Sequence, residues 1–221
     1  MYTAATAAAR RRNGQFGVQE RPEGDTDLDV GSTDETLRYL RGLIVDRVPP
    51  RDVPRHPVNE CTGADLPPVA FVGADAYDPD VVTPVRNHTG IPKPDGGTWL
   101  SPLHADGTTT WSRWCADVDS GDWVRGKRTH PVGLRPDARV LKVDSMPDLL
   151  AAVDAHGGVA HNEEVHLDFE ELARHYDAMW VTGAGMEATR YGPGGYDKGE
   201  NLYSWDIESV LIFNPDAIGS T

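Results

Sequence analysis

The chain has 221 residues and a net charge of −14, from 35 acidic and 21 basic side chains. This length is sufficient for one domain with its own core plus an extension. The negative charge disfavours general nucleic-acid binding, which depends on neutralising phosphates with Lys and Arg. No apolar run reaches the roughly 20 residues needed to cross a bilayer, and the N-terminus lacks the apolar region of a secretory signal. We therefore expect a cytoplasmic protein with no membrane partner, in which Cys61 and Cys115 are both reduced.

The N-terminal part of the chain differs in composition from the rest. Residues 1–31 contain almost no large apolar side chains, which predicts a disordered arm. Next, STDETLRYLRGLIVDRV (32–48) has apolar residues at helical spacing and a capping box, and predicts an amphipathic helix. Prolines then interrupt regular structure, so residues 32–59 are interpreted as this helix followed by a proline-rich linker. The main domain is expected at residues 60–221.

Short strands and two helices are predicted within the main domain. The strands are expected at 69–74, 80–88, 98–103, 139–144, 178–183 and 208–214. The helices are expected at 145–156 and 168–177, each beginning with a capping residue. Strands and helices do not alternate steadily, so the pattern favours an α+β fold over a doubly wound sheet.

One acidic, histidine-containing segment could serve as a metal site. HNEEVHLD contains His161, Glu163, His166 and Asp168, and a metal-dependent nuclease built on these side chains is one alternative function. Its histidines are five residues apart, whereas two metal-binding histidines on one helix face are four apart. We interpret the segment instead as an acidic loop whose last residue, Asp168, caps the next helix.

A second set of side chains, aromatic and polar, is spread over three regions interpreted as strands. These segments are VRNHTG (85–90), GGTWLSP with TTWSRWC (96–115), and YSWDIESVLIFN (203–214). Each tryptophan alone is most simply a core residue. Together the segments supply cations, indole rings, hydroxyls and a carboxylate, which suit a cationic ring joined through a ribose to a diphosphate.

At these segments the chain resembles the ADP-ribosyltransferase superfamily. It is similar in particular to small phage and bacterial proteins with the pattern GG-[LT]-W-x-S-P…W-x-x-W-C…WD-x-ES-V-[LI]-x-x-N, over roughly residues 85–218. The resemblance implies a split β-sandwich of ADP-ribosyltransferase type with a few short helices, which here follows the disordered arm and N-terminal helix. It also implies that NAD is the substrate, bound in a cleft, and that no metal is needed.

The resemblance suggests roles for particular residues in each of the three segments. Glu208 would be the catalytic carboxylate and Ser101 would brace the nicotinamide ribose. Asp206 would guide the acceptor, because it lies where family members often have Glu or Gln. The residues expected to contact NAD are Arg86, Asn87, His88, Trp99, Trp111, Trp114 and Trp205. Either Arg86 or His88 would be the first-strand residue that holds the nucleotide.

Two questions stay open from the sequence. ADP-ribose would pass to an unidentified protein or nucleic-acid acceptor, or to water, in which case the chain is an NAD glycohydrolase. A toxin and a modifier carried by a virus are both consistent with the pattern. A protein of another class would keep the same fold without catalysis and act in binding or assembly, for example in a virus. The enzyme requires Arg86 or His88, Ser101 and Glu208 to converge, whereas the binding protein does not.

Overall fold

A computed structural model describes residues 46–78, 82–88, 90–161, 163–193 and 199–219. Its strands are β1 (Asp46–Val48), β2 (Glu60–Thr62), β3 (Val69–Gly73), β4 (Thr98–Pro102), β5 (Arg128–Val132), β6 (Arg139–Val143), β7 (Gly158–His161), β8 (Glu164–Leu167), β9 (Ala178–Val181), β10 (Gly199–Glu200) and β11 (Ser209–Ile212). Its α-helices are α1 (Thr110–Asp119), α2 (Met146–His156), α3 (Phe169–His175) and α4 (Gly183–Thr189). The predicted α+β class is confirmed.

The described strands form two sheets. The larger sheet has the order β2-β6-β9-β11-β4-β3-β5, and the smaller has the order β1-β7-β8-β10. In the larger sheet the neighbouring strands are antiparallel except β6 and β9, which are parallel. The central strand β11 is buried along its whole length, between β9 on one side and β4 on the other.

The larger sheet has a core on each face. Residues of β4 and β11 alternate between the two faces, so Trp99 and Leu211 lie in one hydrophobic cluster and Leu100 and Val210 in another. The cluster around Trp99 also contains Leu149 of α2 and is the larger of the two. We call this the helix face of the sheet, and the face with Leu100 and Val210 the open face.

Two glycines before β4 are required by the backbone. Gly96 and Gly97 have φ values of 76° and 65°, a region that other residues adopt only with strain. A Cβ atom on Gly97 would also lie 2.6 Å from Leu211 Cδ1. The Gly-Gly pair of GGTWLSP therefore lets the chain turn tightly against β11 before it enters β4.

The structure corrects four expectations from the sequence. Residues 82–88 are irregular apart from one bridge, between Arg86 and Asp95, and do not continue a strand. TTWSRWC, grouped with the strand segments, begins helix α1. The predicted loop 161–168 instead contains strand β8, paired with β7 in a hairpin. Asp46–Val48 form strand β1, where the predicted N-terminal helix 32–48 was expected to end; residues 1–45 of the arm and helix lie outside the described residues.

The proline-rich segment is fastened to helix α2 by a buried carboxylate. The side chain of Asp154 is 0% exposed, and its Oδ1 and Oδ2 accept from Arg51 Nε at 2.7 Å and Arg55 Nε at 2.9 Å. The backbone N–H of Arg55 also donates to Oδ2, at 2.9 Å. Hydrogen bonding from Arg55 holds the pKa of Asp154 below its usual value, so the carboxylate is ionised at neutral pH. The segment is therefore an extended wrap along the domain.

We predict that Asp154→Ala lowers the free energy of unfolding by about 2 kcal/mol, because several charge-assisted hydrogen bonds are lost together. Urea unfolding measures this change. Asp137→Ala is the matched control, since the side chain of Asp137 is 79% exposed and its ion pair with Arg135 spans 4.0 Å. Equal losses in the two variants would show that the Asp154 contacts do not fasten the segment.

Candidate functional site

Glu208 lies immediately before β11 and is half-buried. Its Oε1 accepts a hydrogen bond of 3.0 Å from the indole Nε1 of Trp180, on the neighbouring strand β9. Trp180 pairs with Val210 on the open face of the sheet. Glu208 is two residues before Val210, so it lies on the same face. Its other oxygen, Oε2, would be 3.6 Å from a Cβ atom added to Gly183. The carboxylate is therefore oriented by a neutral donor and lies beside a residue that has no side chain.

Further polar residues lie beside Trp180 at the same end of the sheet. The ammonium of Lys142 is 5.0 Å from the centre of the Trp180 ring and 3.3 Å from Asp144 Oδ2. The hydroxyl of Thr182 donates to Asp144 Oδ1 and lowers the pKa of that carboxyl. Within the described part of the chain, no Lys, Arg or His side chain forms an ion pair with Glu208. Among the described residues, Glu208 is thus oriented by the Trp180 indole and is not paired with a cation.

Ser101 is a buried residue of β4 whose hydroxyl contacts the start of helix α1. Its Oγ accepts a hydrogen bond of 2.9 Å from the backbone N–H of Trp111, one of the N–H groups that have no partner inside the helix. Ser101 follows Leu100 in β4, so it points to the helix face, whereas Glu208 lies on the open face. The structure does not bring Ser101 and Glu208 together.

The contacts that the structure gives Arg86, Asn87 and His88 are with groups other than Glu208. Arg86 is exposed and its backbone bridges to Asp95. The Asn87 side chain donates to Asp168 Oδ1 at 2.7 Å and accepts from the backbone N–H of Phe169 at 2.8 Å. Asn87 therefore ties its loop to the start of α3. His88 is half-buried, and its Nδ1 accepts from the N–H of Gly90.

Trp99 and Trp205 pack against each other inside the core on the helix face. Their ring centres are 4.7 Å apart, and Phe169 stacks on Trp205 at 6.4 Å. The indole of Trp205 donates to the carbonyl of Pro92 at 2.9 Å. Lys93 is also buried, with its ammonium 4.6 Å from the centre of the Trp99 ring. These tryptophans build the core and hold a buried cation, which the sequence did not reveal.

Trp111 and Trp114 form a separate group with Trp123. The ring centres of Trp111 and Trp114 are 5.1 Å apart, and the other two separations are 5.3 and 6.0 Å. Trp111 is buried, and the other two are half-buried. They join α1 to the short 3₁₀ turn that contains Trp123.

Asp206 is half-buried, two residues before Glu208.

The histidines and acids of the alternative metal site are already engaged with other groups. Nε2 of His166 lies 2.5 Å from Glu164 Oε2, and the ring centre of His166 is 6.1 Å from that of His161. Asp168 caps α3 as expected, accepting from Glu171 N at 3.0 Å, and pairs with Arg47 at 2.7 Å. In the parts of the chain that the structure covers, no three His, Cys, Asp or Glu side chains form a cluster suited to a metal ion.

No protein-family model, curated protein or solved structure matches this chain. Over its described residues, the structure has no helix with the length and apolar character needed to cross a membrane. The likeness to ADP-ribosyltransferases therefore rests on the sequence motifs.

The strand order brings together residues that the motifs did not connect. Glu208 was expected, but its donor Trp180 was read only as part of the strand AMWVTG, and Lys142 only as part of RVLKVD. Both could be linked to Glu208 only by knowing that β6, β9 and β11 are neighbours in that order. The alternation of β9 then puts Trp180 on the same face as Glu208.

We predict that the free energy of unfolding falls as the pH is lowered from about 7 to about 5. Burial lowers the pKa of His166 and of His156. The unfolded chain, with imidazole pKa values of about 6.5, then binds protons that the folded protein does not. This stability is complete above the unfolded pKa and is lost as the pH falls toward the folded pKa.

Urea unfolding at several pH values measures this slope. His166→Gln should reduce it, whereas His56→Gln should not, because His56 is exposed. Stability that stays constant or rises toward pH 5 would contradict the prediction.

Proposed function

We propose that the protein cleaves the nicotinamide–ribose bond of NAD and transfers ADP-ribose to a macromolecular acceptor or to water. The observation that supports this proposal best is the state of Glu208. Its carboxylate is half-buried at the start of the central strand, accepts from Trp180 Nε1 at 3.0 Å, and has no ion pair among the described residues. A carboxylate that is oriented but not neutralised suits a reaction that develops positive charge.

The proposed step follows from the chemistry of the ribose carbon. The bond from C1′ to the pyridinium nitrogen lengthens, and nicotinamide leaves as a neutral ring with the bonding electron pair. Positive charge develops on the ribose, as in the oxocarbenium-like transition state of glycoside hydrolysis. Glu208 would stabilise this charge and accept a hydrogen bond from a ribose hydroxyl. The acceptor oxygen or nitrogen then bonds to C1′ and releases its proton.

The arrangement of strands is compatible with this proposal. The β-strands carrying GGTWLSP and ESVLIFN, separated by about 100 residues in the chain, are neighbours as β4 and β11. Two sheets are present, as a split sandwich requires. We infer that the α+β fold is of the ADP-ribosyltransferase type. The partners would be NAD and a protein or nucleic-acid acceptor in the cytoplasm, which for a toxin or phage protein is that of the host cell.

A second candidate is a binding or assembly protein that keeps the fold without catalysis. It is favoured by the structural roles of the other motif residues. Ser101 holds the start of α1, Asn87 holds the start of α3, and Trp99 and Trp205 are buried in the core. The contacts that these residues make in the folded protein account for them without any catalytic role. The two candidates therefore differ in what they require of Glu208.

We predict that the wild-type chain releases nicotinamide from NAD, and that Glu208→Gln reduces the rate by at least about 100-fold, because it removes the charge facing the developing cation. Free nicotinamide is measured by chromatography, with and without cell extract as a source of acceptor. Glu187→Gln is the matched control, since Glu187 is exposed on α4. No release by the wild type under either condition would favour the binding protein.

We predict that Trp180→Phe lowers kcat for nicotinamide release by about 10-fold and changes KM little. Phenylalanine keeps the ring but cannot donate the hydrogen bond that orients the carboxylate. Steady-state kinetics separates the two constants. Trp123→Phe is the control, because that indole lies in the tryptophan group near α1. A rise in KM at constant kcat would mean that Trp180 contacts substrate and does not position Glu208.

A further inference from the structure

Arg190, directly after helix α4, has a buried polar atom without a partner. Its side-chain Nε is inaccessible to solvent and makes no hydrogen bond to any residue that the structure describes. In the described part of the chain the guanidinium forms no ion pair either. Buried polar atoms in proteins are nearly always hydrogen-bonded, and a guanidinium binds carboxylates and phosphates through paired N–H groups. Arg190 is therefore a candidate for binding an anionic group.

Ser204 supplies a second unsatisfied group on the adjoining segment. Its hydroxyl Oγ is buried and has no hydrogen-bond partner among the described residues. The two segments run beside each other, since Leu202 N donates to Thr189 O at 2.8 Å. The rings of Tyr191 and Tyr203, each one residue from an unsatisfied group, have centres 6.2 Å apart. The hydroxyl and the guanidinium therefore lie on adjoining segments, each next to one of two tyrosines whose rings are close together.

A second cation, Lys93, lies beside Ser204. The ammonium of Lys93 is 3.5 Å from the backbone carbonyl of Ser204. Lys93 is only 7% exposed, although lysine is among the residues least often buried. The side chains of Tyr191 and Tyr203 are 50% and 37% exposed, so their rings are accessible from outside. Two cations and a hydroxyl suit a diphosphate, and accessible rings suit a base that stacks.

Helix α4 connects this group of residues with Glu208. A Cβ at Gly183, the first residue of α4, would be 3.6 Å from Glu208 Oε2, and Arg190 follows the last residue, Thr189. Seven helical residues advance by roughly 10 Å.

We propose that Arg190, Ser204 and Lys93 bind the diphosphate of an adenine nucleotide, and that Tyr191 and Tyr203 bind its base. The further identification of this nucleotide as the ADP part of NAD, with its ribose carbon at Glu208, rests on the proposed function. The diphosphate site therefore differs from the position at Arg86 or His88 that the motifs suggested.

Calorimetric titration of the full chain with ADP tests the site without requiring catalysis. The wild type should bind ADP, and Arg190→Ala should weaken binding by about 10-fold or more, because a charge-assisted hydrogen-bond pair is lost. Arg190→Lys should recover only part of the affinity, since lysine keeps the charge without the paired donors. Arg174→Ala is the matched control, because Arg174 is exposed and paired with Glu171. Circular dichroism establishes that each variant is folded.

The outcomes separate this site from the proposed reaction. ADP binding that depends on Arg190, with no nicotinamide release from NAD, would support the site and contradict the reaction. Nicotinamide release with ADP binding that is absent, or unchanged in a folded Arg190→Ala, would overturn the site and leave the reaction. Adenosine should bind much more weakly than ADP; equal affinities would also overturn the site, because the diphosphate would then contribute nothing.

Discussion

The pairing of β11 with β9 and β4 is the constraint on which the candidate site depends. β11 is buried along its length, and a shift of one residue in its register would move every side chain to the other face of the sheet. In the observed register Val210 pairs with both Trp180 and Leu100. Glu208, two residues earlier, then lies on the face of Trp180, and its carboxylate meets the indole N–H. Hydrophobic burial of the strand therefore positions the carboxylate.

The alternation of side chains along each strand places some motif residues in structural positions and others in the candidate site. Trp99 and Ser101 point to the helix face, where they pack with Trp205 and hold the start of α1. The carboxylate proposed to act on the ribose carbon lies on the opposite, open face, where Glu208 accepts a hydrogen bond from Trp180. A motif whose residues are adjacent in sequence can thus combine structural and functional positions, because successive residues of a strand face opposite ways.

Seven of the eight elements predicted in the main domain lie near their observed bounds, whereas eight further strands and helices of the structure were not predicted. Helix α2 was expected at 145–156 and occurs at Met146–His156, because Ser145 and Pro147 mark its start. Helix α3 begins after Asp168, which caps it as predicted. β11 was recognised from its continuous apolar run, which a buried strand requires. These features are local, so they can be read from neighbouring residues.

The errors in the fold concern features that depend on distant partners or on spacing that was overlooked. EVHL forms a strand because GVAH, a few residues earlier in the chain, pairs with it, whereas its charge suggested a loop. Trp111, Trp114 and Cys115 have the spacing of one helix face, and this pattern could have identified α1. No short pattern could have joined Trp180 to Glu208, because that contact depends on the strand order.

The most direct test is a crystal structure of Glu208→Gln bound to NAD. The account predicts that a hydroxyl of the nicotinamide ribose lies within hydrogen-bonding distance of residue 208, and that the ring of Trp180 remains beside it. NAD bound with its nicotinamide ribose out of reach of residue 208 would contradict the account.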